Sequence, residues 1–163
     1  MPEVYGPRQT ILVTCREELE FMGKTKEVHN IITVAWHMPV SHDPLLYAIS
    51  IGKTRASLEI IKKSKGFVVN FIPFELKEAA LICGKLSGRH HDKFKETGLT
   101  MEESNHIDCP KIKEAIGYLE CHVIEEVDAG DHVIFIGEVT YQQLKEDKDR
   151  LFHCSGDKFK TTE

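Results

Sequence analysis

The amino-acid sequence predicts a mainly β protein, a largely antiparallel β-barrel decorated by short helices. Several segments are rich in β-branched residues or alternate apolar and polar side chains, as strands with one buried face do. Helical periodicity is confined to a few short segments, which are too few for regular strand–helix–strand units. A doubly wound parallel sheet is therefore disfavoured. The 163 residues are expected to form one domain over 1–163.

The predicted strands are short and end at turn residues. Segment 29–36 is rich in β-branched residues and is closed by Met38 and Pro39. The polar segment 17–26 is expected to be a turn region, and 128–131 a hairpin connection. The other predicted strands span 11–15, 45–51, 67–72, 118–127, 133–141 and 151–154.

Three short helices are predicted between the strands. Apolar residues three and four positions apart indicate a helix over 54–63, which Gly66 stops. The same spacing from residue 76 onward indicates a second helix, which Gly84 is expected to terminate. A third helix is predicted over 91–97.

Composition and charge exclude several classes of partner. The formal net charge is −5, so the surface as a whole should not attract nucleic acid or anionic lipid. The N-terminal residues lack the apolar run of a signal peptide, and no run of about 18 apolar residues predicts a membrane span. The five cysteines are odd in number and form no Cys-x-x-Cys pair. We therefore expect free thiols and a cytoplasmic location.

The turn between the third predicted strand and the first helix is a candidate anion site. Lys53 and Arg55 have the wrong charge for a helix N-terminus, where the macrodipole is already positive. An anion held by backbone N–H groups and by the hydroxyls of Thr54 and Ser57 would explain both cations. Alternatively, the two side chains point into water, where their repulsion is screened.

The Gly-Lys-Thr sequence of this turn also resembles part of a nucleotide-triphosphatase P-loop. That loop needs a glycine five residues before Gly52, and the residue there is Tyr47. The P-loop interpretation therefore fails.

A second cationic loop spans residues 83–94. Its glycines would let the backbone approach a ligand closely, and Ser87, Arg89 and Lys93 are suited to binding phosphate. The alternative is a solvated connector. If the fold brings this loop beside the first, the two form one anion site.

No metal site is predicted, because the nine histidines and five cysteines lack paired ligand spacing. A nucleophilic Cys–His pair stays open, since such partners meet only in space. His132 opens a strand after a turn and is by itself an ordinary rim residue. Trp36 is by itself an ordinary packing residue.

In their order along the chain, four segments resemble the flavin reductase family with the FMN-binding split barrel, which includes flavoredoxin and archaeal ferric reductase-like flavoproteins. The match extends over almost the whole chain, and the ordered set is more specific than any single segment. The segments are 30–36 with 39–41, 47–54 with Ser57, 83–94, and 129–132 with 137–139.

The resemblance implies a Greek-key antiparallel split barrel that pairs into a homodimer and binds FMN near the interface. It places one strand segment along the flavin ring, one turn and one loop around the phosphate, and His132 on the flavin or nicotinamide side as a catalytic candidate. The implied ring contacts are Thr33, Val34, Ala35 and Trp36. The implied phosphate-side contacts are Ser50, Ile51, Gly52, Lys53, Thr54, Ser57, Ser87, Gly88, Arg89 and Lys93.

The expected function is NAD(P)H-dependent reduction of FMN, with electrons passed to free flavin, a ferric chelate or a protein. The chain has no Gly-x-Gly-x-x-Gly, in keeping with a family that uses nicotinamide without a Rossmann domain. Two alternatives stay open: an electron-transfer flavoprotein reduced by a redox partner protein, and a non-redox module for another phosphorylated ligand. The choice between NADH and NADPH is also open.

Overall fold

Antiparallel strands dominate the computed structural model, which describes residues 4–162. The main sheet has seven strands in the order β3-β2-β6-β9-β10-β5-β4, a three-stranded sheet has the order β1-β11-β12, and β7 pairs with β8. The predicted mainly β, antiparallel class is therefore confirmed. The strands are β1 Arg8–Gln9, β2 Ile11–Phe21, β3 Lys24–Val34, β4 His37–His42, β5 Leu45–Gly52, β6 Gly66–Phe71, β7 Met101–Glu103, β8 Pro110–Ile112, β9 Gly117–Ala129, β10 His132–Leu144, β11 Leu151–Ser155 and β12 Lys158–Thr161.

The polar segment 17–26 is not a turn region, as predicted, but the outer half of a long β-hairpin. Strands β2 and β3 stay paired until Phe21 faces Lys24. Only Met22 and Gly23 turn, both with positive φ. Leu19 and Val28 of this ribbon pack against the core, so the polar residues lie on a strand with one wet face.

Strand β4 and the short strands β1, β7, β8 and β12 were not predicted. β4 contains Pro39, which argues against a central strand, but β4 lies at the edge of the main sheet. An edge position tolerates the missing backbone N–H of proline. Local sequence does not show whether a strand lies at the edge or in the centre of its sheet, so β4 could not be predicted.

Three helices occupy the predicted regions with shifted ends. Helix α1 spans Ala56–Ser64 and ends at Lys65, which has left-handed φ. Helix α2 spans Lys77–Lys85, so Gly84 lies inside it and does not terminate it as predicted. Gly84 packs against Thr33, where a Cβ would lie 3.5 Å from that side chain. Helix α3 spans Lys93–Thr97, and a 3₁₀ turn at Phe74–Leu76 precedes α2.

The main sheet is apolar on both faces and separates two cores. Ile11 and Val13 of β2 face the barrel interior together with Phe67 and Phe135. Leu12, between them in sequence, faces the other way, into the core under α2 and α3. The two-residue period of β2 therefore supplies both cores from one strand.

All five cysteines carry free thiols, and four of them are buried. Burial raises the pKa of Cys83 to about 11 and that of Cys15 to about 12. These thiols stay protonated at neutral pH, and they serve as small apolar side chains. Within the described residues, no helix has the length and apolar character needed to cross a membrane.

Gly137 marks a position in β10 where the barrel core admits no side chain. A Cβ there would come within 2.8 Å of both Cys121 Cβ and Phe67 Cζ. We expect Gly137→Ala to destabilise the fold by about 1–3 kcal/mol, because the neighbouring rings and strand must shift. Urea unfolding should show a lower midpoint. The exposed neighbour variant Glu138→Ala should unfold like the wild type; equal midpoints for all three would contradict this packing.

Candidate functional site

The two cationic loops identified in the sequence meet in space. The turn before α1 and the loop after α2 enclose a cavity of about 120 Å³, which we call the cationic pocket. Arg89 closes the contact, since its Nη1 donates a hydrogen bond to the carbonyl oxygen of Thr54 at 3.1 Å. The pocket is lined by Asn30, Ile32, Thr54, Arg55, Ala56, Cys83, Lys85, Leu86, Ser87, Gly88, Arg89 and Lys93.

The first turn of α1 opens into this pocket with its backbone donors available. Arg55 is the N-cap residue, and its side chain makes no capping hydrogen bond. Arg55 N–H bonds to the Gly52 carbonyl, and Leu58 N–H bonds back to the Arg55 carbonyl. The N–H groups between them lie at the positive end of the helix dipole. A helix end built in this way favours an anionic ligand.

Asn30 contributes a buried polar atom to the pocket. Its side-chain Nδ2 donates to Ser57 Oγ at 2.8 Å, while its Oδ1 has no partner among the described residues. Gly88 lies against this amide, and a Cβ at position 88 would come 2.3 Å from Oδ1. Only glycine lets the loop close over Asn30 here.

Lys93 places a buried cation at the base of the pocket. Its Nζ donates to the carbonyl oxygens of Ile31 at 2.7 Å and Cys83 at 2.8 Å. An ammonium group has three N–H donors, so one remains for a ligand. Burial lowers the pKa of Lys93, and an anion in the pocket would favour its charged form.

Five residues of the predicted phosphate set do not line the cationic pocket: Ser50, Ile51 and Gly52 line the cavity beside it, and Lys53 and Ser57 line neither. Lys53 pairs with Asp128, and its backbone N–H donates to the Asp131 carbonyl, so the side chain lies outside the pocket lining. Ser57 is completely buried, and its hydroxyl accepts from Asn30. Ser57 therefore acts on the pocket through Asn30, while Thr54, Ser87, Gly88, Arg89 and Lys93 line it.

A second cavity of about 190 Å³ adjoins the cationic pocket, and we call it the aromatic cavity. Ile32 and Arg55 line both spaces, which therefore lie side by side. The end of β3 forms one wall and the end of β5 the other. The predicted ring contacts and the first phosphate-side residues all line it. Its lining is Ile32, Thr33, Val34, Ala35, Trp36, Ser50, Ile51, Gly52, Arg55, His132 and His153.

His132 and Trp36 lie together at the mouth of the aromatic cavity. Their ring centroids are 4.7 Å apart with planes tilted by 36°. His132 Nδ1 lies 2.6 Å from the Asp131 carboxylate, and this contact lowers the pKa of Asp131. Its Nε2 lies over Gly52, where a Cβ would be 3.8 Å away. Nδ1 is therefore held by the carboxylate, and Nε2 faces the cavity.

Three features of this site were not recognised from sequence. Asn30 is a polar residue in an apolar strand, a signal that could have identified it. His153 comes from β11, far along the chain, and its Nε2 donates to the Gly156 carbonyl at 2.8 Å. Arg8 donates to the Ala35 carbonyl at 2.9 Å and so fixes the backbone beside Trp36. No local pattern indicated the contacts of Arg8 and His153.

No group of three or more His, Cys, Asp or Glu side chains in residues 4–162 is arranged to hold a metal ion. The features of the site that a ligand would contact are its cations, its free helix N–H groups and its aromatic cavity. One end suits an anion and the other a planar, partly apolar group with polar edges. FMN has these two parts, and the donor set fits it.

Comparisons with known proteins agree with this geometry. A protein of Archaeoglobus fulgidus is 37% identical over 115 residues, covering 71% of this chain, and the chain spans only 65% of that relative. An NADH-dependent FMN reductase of Streptomyces nodosus subsp. asukaensis is 31% identical over 110 residues, covering 66% of this chain and 57% of its own.

The structure of flavoredoxin from Methanosarcina acetivorans superposes with a TM-score of 0.83 at 22% identity, covering 99% of this chain and 87% of that one. This likeness confirms the predicted split-barrel fold. The flavin reductase like domain matches residues 6–162. The chain therefore belongs to the flavin reductase like family.

Proposed function

We propose that the chain binds FMN across the cationic pocket and the aromatic cavity and catalyses its reduction by NAD(P)H, with electrons passed to a small acceptor such as free flavin or a ferric chelate. The observation that carries this proposal is that the two spaces lie side by side and share Ile32 and Arg55. An anion site beside an aromatic site matches a phosphorylated ring ligand.

The cationic pocket would hold the phosphate. The free N–H groups of α1, the hydroxyls of Thr54 and Ser87, and the cations Arg55, Arg89 and Lys93 all converge there. Each charge-assisted hydrogen bond contributes about 1.5–3 kcal/mol. Gly88 lets the loop backbone lie close over the ligand, because a side chain at that position would collide with Asn30.

The aromatic cavity would hold the flavin ring. Backbone groups of residues 33–36 would meet its polar edge, while Ile32, Val34 and Ile51 supply apolar contact. FMN held by these residues would supply the redox chemistry, which is hydride acceptance and electron release. His132 presents Nε2 to the cavity with Nδ1 held by Asp131, so it can donate or hold one proton beside the reacting groups.

The free thiols and an exposed apolar edge bear on location and assembly. None of the five thiols forms a disulfide, and four of them are buried, which supports a reducing, cytoplasmic location.

Edge strand β4 exposes Met38 by 57% and Val40 by 41%, next to Trp36 at 43%. An exposed apolar sheet edge is suited to a partner copy, and we propose a homodimer that covers it.

The proposed activity is tested by an anaerobic absorption spectrum of the purified protein with FMN. NADH or NADPH should bleach the bound flavin within seconds, because nicotinamide reaches the open aromatic cavity directly. Slow bleaching by both nucleotides would favour a carrier reduced by a redox partner protein. A protein that stays colourless after incubation with FMN would contradict the flavin proposal and favour a non-redox phosphate-binding module.

Arg89 and Lys53 give a matched test of the phosphate assignment. Arg89→Ala should weaken FMN affinity about ten-fold or more, because it removes a charged donor from the pocket lining. Lys53→Ala should stay within about three-fold, since Lys53 pairs with Asp128 and is screened by solvent. Fluorescence titration of FMN measures both. Equal loss in the two variants would place the phosphate elsewhere.

The homodimer is tested through Met38. Light scattering should give twice the 18.6 kDa chain mass for the wild type. Met38→Glu should yield monomer, because a charge would be buried at the proposed contact. Met22→Glu is the control, since Met22 lies at the exposed tip of the β2–β3 hairpin. A monomeric wild type, or a dimer unaffected by Met38→Glu, would contradict the interface.

A further inference from the structure

The position of the buried cation in the cationic pocket depends on where helix α3 begins. Lys93 is the first residue of α3, and its Nζ reaches the carbonyl oxygens of Ile31 and Cys83 on two other elements. Helix α3 has only five residues. A helix this short is not stable on its own in water. Contacts that fix its first turn therefore also fix the Lys93 ammonium.

Asp92 is the N-cap residue of α3, one position before Lys93. Its carboxylate oxygen Oδ1 accepts hydrogen bonds from the backbone N–H groups of Phe94 at 3.1 Å and Lys95 at 3.3 Å. The first turn of a helix cannot satisfy these donors within the helix, and an N-cap carboxylate stabilises the turn by accepting from them. Asp92 therefore sets the point at which α3 begins.

His29 of strand β3 contacts the residues on both sides of Lys93. Its Nε2 lies 3.3 Å from Asp92 Oδ1, the same oxygen that caps α3. Its ring packs edge-on against Phe94, with centroids 5.6 Å apart and planes at 64°. Burial acts to raise the pKa of Asp92, but the hydrogen bonds from His29 and from the α3 backbone outweigh it and lower that pKa. His29 therefore meets a charged carboxylate at neutral pH.

Two contacts join β3 to the start of α3, and one of them reaches the pocket. Ile31 follows His29 by two residues on β3, so both lie on the same face of the strand. The outer contact, His29 to Asp92, is partly exposed. The inner contact, from Lys93 Nζ to the Ile31 carbonyl, is buried and has a length of 2.7 Å. The outer contact therefore holds the element that carries the inner one.

We propose that His29 is a positioning residue for the cationic pocket: through Asp92 it fixes the start of α3, and with it the Lys93 ammonium that faces a bound phosphate. This inference rests on the proposed function. His29 is not among the residues that line the pocket, so it acts on the ligand only through α3. Without it, the N-cap carboxylate loses its donor from β3. The third N–H of Lys93 would then be less well aligned with the phosphate.

A second histidine–carboxylate contact on the same helix provides a matched control. His91 Nδ1 lies 3.5 Å from Glu96 Oε1. This pair lies within one segment, residues 91–96, whereas His29 and Asp92 join α3 to β3. Loss of His91 removes a contact of the same chemistry and leaves the connection to β3 in place.

The positioning role is tested by fluorescence titration with FMN and with riboflavin, which has the same ring system but no phosphate. His29→Leu keeps the apolar contact with Phe94 and removes the donor to Asp92. It should weaken FMN binding about five-fold, because one charge-assisted hydrogen bond to the phosphate is misaligned, and leave riboflavin binding unchanged. His29→Gln should restore FMN binding to within about two-fold of the wild type, since its side-chain amide supplies a donor. His91→Leu should bind both flavins like the wild type.

Variants of Asp92 test the same connection from the helix side. Asp92→Ala should weaken FMN binding at least as much as His29→Leu, and Asp92→Asn, which keeps a capping oxygen, should bind FMN like the wild type. Urea unfolding of each variant separates positioning from a general loss of stability.

Three results would overturn the positioning role while the proposed function stands. They are wild-type affinity for FMN in His29→Leu, an equal loss of FMN and riboflavin affinity in that variant, and failure of His29→Gln to restore FMN binding. In each case the wild type still binds FMN. A wild-type protein that binds no FMN would instead reject the proposed function and this inference together.

Discussion

The site depends on holding two positively charged loops side by side, and a hydrogen bond from the Arg89 guanidinium to the Thr54 carbonyl at 3.1 Å joins them. This bond joins two loops that are 35 residues apart in sequence, each with cations that repel the other. Without an anion, the cluster of Arg55, Arg89 and Lys93 raises the free energy of the folded state. The helix N-terminus adds to that cost. The fold holds this arrangement because the barrel and α2 fix both loops from outside.

Steric fit makes the same pocket specific. Asn30 and Gly88 are so close that the loop has no room for a side chain at residue 88. Thr33 also donates its hydroxyl to the Ala80 carbonyl at 2.6 Å, which ties the end of β3 to α2. These contacts hold β3, α2 and the loop after it in one rigid unit. Arg55, Arg89 and Lys93 therefore supply the charge of the pocket, while Asn30 and Gly88 restrict its shape.

The β class and the two cationic loops could be predicted because they depend on local patterns. Alternation located β9 and β10, and the unfavourable cations at Lys53 and Arg55 indicated an anion site at α1. Contacts across the fold could not be predicted in this way. The partner of Lys53 is Asp128, which belongs to a hairpin far along the chain, and His153 reaches the aromatic cavity from β11. Edge strand β4 was missed because Pro39 is acceptable only at a sheet edge, which is a tertiary property.

The high pKa values of the buried thiols make these sulfurs poor targets for oxidants, which attack thiolates far faster than thiols. Cys83 lines the cationic pocket, yet burial raises its pKa to about 11 and keeps it protonated. A sulfur in the wall of the pocket is therefore kept in its less reactive form by burial alone, with no need for a scavenging residue beside it.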